Sequence, residues 1–152
     1  MTTNVNASVV LLKQNLDGAV SDLTNAIEHI WNGIEFTDGA QPPRNMTWGP
    51  DDLYLMERDA VRTMVELRAA KRLLEMDLPA EPGETVMIPR NKYDSAMADI
   101  GYAVDYTNWV LGELNPSLDP WYQPLNYAAV ERTFVQNIQY VKSAIRTLTS
   151  PP

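Results

Sequence analysis

Two glutamates and one histidine are the residues whose types could do chemistry in this chain. Glu57 and Glu131 each interrupt an apolar run at helical spacing, and His29 is the only histidine. Carboxylates that project into a helical bundle can hold Mg or Mn, or a ligand with a polar head. Carboxylate metal centres in bundles add a Glu-x-x-His pair on two helices. Here Ala60 follows Glu57 at that spacing and Phe134 follows Glu131, so the histidines are missing. A layer of Glu57, Glu131, His29 and Tyr106, with Asp22 and Asp99 further along, is the weak metal-site alternative. The stronger expectation is structural. Each glutamate is satisfied by a neighbouring Arg, Trp N–H or Tyr hydroxyl, because a buried carboxylate left alone loses several kcal/mol of hydration. No metal and no cofactor is expected.

Other chemistry is excluded by what the chain lacks. It has no cysteine, no Gly-rich phosphate loop, no GxSxG elbow and no HExxH. The net charge of -8 argues against nucleic acid and against an anionic membrane surface, since both need concentrated Lys and Arg. No run approaches the roughly 20 apolar residues of a membrane span. The start, "MTTNVNASVV", is not a recognisable secretion signal. These features lead to an expected location in the cytoplasm or in a virion.

The elements that must position these residues are helices. Leu12, Leu16, Val20, Leu23, Ile27, Ile30 and Ile34 alternate three and four apart. The spacing predicts a first helix from about Asn6 to Gly33. A second starts at Pro50, which suits a first helical position. A third covers about Arg90 to Gly112, and a fourth about Leu125 to Leu148. "DLPAEPGETVMIP", residues 77–89, reads as loop, and "MTTN" and "TSPP" as tails. Trp31 and Trp109 read as core plugs. Arg58, Arg68 and Arg72 and their likenesses Arg132, Lys142 and Arg146 are expected to pair with Asp17, Glu28, Asp94 and Asp105 between helices.

The two halves resemble each other. Displaced by 77 residues, Asp17, Ala19, Asp22 and Ala26 fall on Asp94, Ala96, Asp99 and Ala103. Displaced by 74, Pro50, Glu57, Arg58, Val61, Ala70, Arg72 and Leu74 fall on Pro124, Glu131, Arg132, Val135, Ala144, Arg146 and Leu148. The expected fold is all-α, a single domain over 1–152. It is an antiparallel up-down four-helix bundle of two hairpins related by a pseudo-two-fold axis, about 13–74 and about 90–148.

The expected function is a non-enzymatic structural or protein-interaction component of a larger assembly. Trp48, Trp121 and Tyr122 lie in Pro-rich loops and are the candidate interaction residues. They serve as anchors for a protein partner or for self-association, or the two tryptophans act as lids over the bundle end. Polar and Pro-rich tails become ordered when neighbours tie them down, so a phage structural or accessory protein is the specific form of this expectation. The alternative is a metal- or small-ligand-binding bundle with a carboxylate-lined pocket at the Trp-loop end.

Overall fold

The computed structural model describes residues 8–40, 50–114 and 127–150. Their order is β1 (Ser8–Leu12), α1 (Lys13–Ala40), α2 (Pro50–Glu75), β2 (Thr85–Pro89), α3 (Arg90–Glu113) and α4 (Tyr127–Thr149). The described residues are therefore mostly helical, with a small two-stranded sheet that the all-α expectation did not include. β1 and β2 pair antiparallel, with Val10 opposite Met87 and Ser8 opposite Pro89.

Both strands lie where the sequence predicted something else. "SVVLL" continues the apolar spacing of α1, so it extends the predicted helix back to Asn6. The β-branched Val9 and Val10 favour a strand, and β2 supplies a partner far along the chain. The ladder continues into the first residue of α1, where the Lys13 amide donates to the Glu84 carbonyl at 3.0 Å. Gly83 just before it has φ 71°, the left-handed region that glycine adopts without a Cβ clash. Pro89 ends β2 and leads directly into α3, a position where its missing N–H costs no helix bond.

α1 packs against α2 and α4, and α3 packs against α4 and α2. The core runs along the facing stripes: Ala19, Leu23, Ala26 and Ile30 from α1, Met56, Ala60, Leu67 and Leu74 from α2. Ala96, Ile100, Ala103 and Val110 come from α3, and Val130, Phe134, Val141 and Leu148 from α4. Alanines on α1 and α3 let the neighbouring helices approach. Gly33 does the same toward α4, since an added Cβ there would stand 2.9 Å from the Phe134 ring. Under the helices, Leu11 and Ile88 from the strands close the core. Tyr93 donates its hydroxyl to the Leu74 carbonyl at 2.9 Å, satisfying a backbone acceptor in the last turn of α2.

The buried face of α4 is broad and includes Ile138. It passes through Val130, Phe134, Asn137, Val141, Ala144 and Leu148, which leaves Glu131 and Ile145 half-buried at its edge. Glu57 is likewise a half-buried edge residue of α2. The carboxylate that sits within the α2 seam is Asp59, which is fully buried.

Candidate functional site

Three features could carry function. The first is a polar row between α1 and α2. Asp22 and His29 are two turns apart on α1, and Asp59 and Glu66 are two turns apart on α2. His29 Nε2 lies 3.8 Å from Glu66 Oε1, and both side chains are about three-quarters buried. Burial raises the pKa of Glu66, and the nearby Asp22 charge raises it further. Asp22 is raised by burial and partly relieved by its hydrogen bond with Glu66. Burial also raises Asp59, against the lowering influence of Arg58, Arg62 and His29. Arg58 Nη2 comes to 3.8 Å of Asp59 Oδ2, yet neither Asp59 oxygen accepts a hydrogen bond. No sequence signal marks Asp59, which stands between Arg58 and Ala60.

Of the weak metal set, His29 and Asp22 thus meet at Glu66, not at Glu57. Tyr106 packs among tyrosines. It stacks on Tyr140 at 5.7 Å, and Tyr102 lies against the same ring at 5.4 Å. Asp99 is half-buried on α3 and contributes charge near Tyr140. Among the described residues, no group of three or more Asp, Glu or His could hold a metal ion.

A second feature is the interior polar pair. Asn137 Nδ2 donates to Thr107 Oγ1 at 3.0 Å, and Thr107 donates to the Ala103 carbonyl at 2.7 Å. The gap they share with Ile30, Ala60, Thr63, Val110 and Phe134 is too tight to hold a water. It is packing, with no room for a ligand. Thr107→Val is expected to strand the buried Asn137 amide at a cost of about 1–3 kcal/mol. The double variant Thr107→Val, Asn137→Leu should recover part of that loss in thermal unfolding. Equal losses in the single and double variants would show that the hydrogen bond has no structural value.

The outer faces are the third feature. Trp31 is 48% exposed and Trp109 41%, so neither plugs the core. Trp109 instead walls a surface cleft of about 320 Å³ between α3 and α4, with Asp105, Tyr106, Ala129, Arg132 and Thr133. Tyr54, Val61, Val65, Tyr102 and Val135 are exposed on other turns. The expected interhelical ion pairs do not form. Asp17 pairs with Lys13 one turn before it, at 2.9 Å. Arg68, Arg72, Arg132, Lys142 and Arg146 are exposed and have no carboxylate within ion-pair distance among the described residues. The interaction candidates Trp48, Trp121 and Tyr122 lie outside the described residues. No described helix is long and apolar enough to cross a membrane. Comparison with protein-family models, curated proteins and solved structures finds no match.

Proposed function

We propose that this chain is a structural or protein-interaction component of a larger assembly, such as a phage structural or accessory protein, and not an enzyme. The observation that carries the reading is the contrast between inside and outside. The interior gap is too small for water, while Tyr54, Val65, Trp31, Tyr102 and Trp109 are exposed on the helix surfaces. Tyrosine and tryptophan concentrate at the centres of protein interfaces, where each buries a large rigid surface. Stable attachment needs such anchors, whereas catalysis needs an enclosed polar cleft.

The frame that presents them is read as an antiparallel four-helix bundle made of two fused β-α-α units. Several observations support this. The strand register is unchanged when the strands are exchanged, because Val10 faces Met87, its own counterpart at a displacement of 77. The buried residues Leu11, Ala19, Leu23, Ala26 and Ile30 correspond to buried Ile88, Ala96, Ile100, Ala103 and Thr107. On the second helices, Met56, Asp59, Thr63 and Leu67 correspond to buried Val130, Thr133, Asn137 and Val141. The polar row then differs by half: Asp22, His29 and Glu66 in the first are Asp99, Tyr106 and Tyr140 in the second.

Isolation of the tagged chain under native conditions, with mass determination, tests the function. A defined complex is the expected result. A lone chain that turns over a substrate or retains a stoichiometric metal would replace this reading with the ligand-binding one. Trp48 and Trp121 give a second measure. Replacing both with Ala should weaken the complex by about 2 kcal/mol or more if they anchor a partner. Early melting with unchanged association per folded molecule would identify them as lids instead.

A further inference from the structure

The outward lines of the helices segregate charge. On α1 the line is Asp17, Ser21, Thr24, Glu28, Trp31 and Glu35, all exposed. It contains three acids, and the one base at that spacing is Lys13 in the first turn, which pairs with Asp17 and leaves Glu28 and Glu35. On α2 it is Tyr54, Arg58, Val61, Val65, Arg68 and Arg72, exposed except for the half-buried Arg58. That line contains three bases, and the acid at its end, Glu75, pairs with Lys71. Spacing of three and four is what any helix shows along one face, so the spacing itself carries nothing. The separation of sign is what requires explanation, because the two helices are neighbours and could have cancelled these charges internally.

They do not cancel. Arg68 and Arg72 have no carboxylate within ion-pair distance among the described residues, and neither Glu28 nor Glu35 has a base there. The basic line also carries apolar surface, with Tyr54 62% and Val65 60% exposed. It spans about 27 Å from Tyr54 to Arg72 at 1.5 Å per residue, long enough to accept a whole helix face. The acidic line has Trp31 set between Glu28 and Glu35. The faces are opposite in charge, and each exposes apolar surface among its charges: Trp31 on α1, Tyr54, Val61 and Val65 on α2.

Resting on the interaction reading above, we infer that the basic, valine-bearing face of α2 docks on the acidic, Trp31-bearing face of α1 in a second copy of this chain. The occupant follows from charge complementarity within one sequence. A protein of net charge -8 repels its copies at long range, so a local basic face gives association a preferred orientation. The counterpart face on α4 has Gln139 where α2 has Val65, which makes it the less apolar of the two basic faces.

Sedimentation equilibrium of the full chain tests this, with two double variants. The wild type should show a mass of two chains or more, above the 17.1 kDa monomer, and lose it as salt is raised to about 0.5 M, where charges are screened beyond a few ångströms. Arg68→Glu with Arg72→Glu should weaken association at least about tenfold, because like charges then oppose one another. Glu28→Lys with Glu35→Lys should do the same. All four positions are exposed, so thermal unfolding should stay near wild type. Mixing the two variants restores opposite charge across the contact and should restore the heavier species.

A wild type that stays monomeric at every concentration overturns the inference. So do swaps that leave the mass unchanged, or a mixture that fails to associate. A monomer whose α2 face holds an anionic vesicle or a nucleic-acid probe overturns it too. A monomer that forms a defined complex with a different protein overturns self-docking and leaves the interaction reading standing.

Discussion

Replacing Phe134 with Ala is expected to lower the unfolding free energy by about 3–5 kcal/mol, the largest effect of any single truncation in this core. Phe134 is 2% exposed and its ring lies against Gly33 of α1. Truncation removes the apolar burial and leaves a cavity between two helices that cannot collapse further. For a chain of this length the midpoint of thermal unfolding should fall by roughly 10 °C or more. Gly33 supplies the control. Gly33→Ala puts a Cβ 2.9 Å from the ring, so it should destabilise the wild type. In the Phe134→Ala background the ring is gone, and the same change should stabilise by up to about 1 kcal/mol through better helix propensity. The sign reversal is the measurement that matters. If Gly33→Ala has the same effect in both backgrounds, the two residues do not set the α1–α4 approach.

Asp59→Asn is expected to raise stability at pH 7 and to have no such effect at about pH 3.5. Asp59 is fully buried, neither oxygen is hydrogen-bonded, and burial lifts its pKa above the ordinary value of 3.8. Between 3.8 and the raised value the folded chain binds more protons than the unfolded chain. Stability therefore falls as pH rises through that window, and it stays reduced above it. Asn removes the charge and with it this loss. Asp22 and Glu66 are shifted in the same direction, so the variant should keep part of the slope. Thermal unfolding of both proteins from pH 3.5 to 8 decides the matter. A variant less stable than wild type at pH 7 would mean that the attraction of Arg58, Arg62 and His29 outweighs the burial cost.

Local spacing determined much of this protein. Helices α2 and α3 start at Pro50 and Arg90, as their apolar periods and prolines require, because amphipathic spacing and start signals are properties of neighbouring residues. Ala19, Ala26, Ala96 and Ala103, small and periodic, are buried between helices for the same reason. The strands were not legible. "SVVLL" continues a helical period, and only a partner strand some 77 residues away selects the extended form. The seams of α2 and α4 were legible in Leu53, Ala60, Met64 and Leu67 and in Phe134, Ile138 and Val141, but not that their glutamates stand at the edge. The apolar stripe of α4 is broad enough to be centred on Val130 and Leu148 or one residue further on, and that choice is made by what α1 and α3 place against it. On α2 the packing leaves Glu57 at an edge and encloses Asp59, a difference that burial decides and spacing does not. The basic residues Arg68, Arg72, Arg132, Lys142 and Arg146 were visible as periodic rows. That they face outward without acids depends on the direction of each helix's outer face, and tertiary packing alone fixes it.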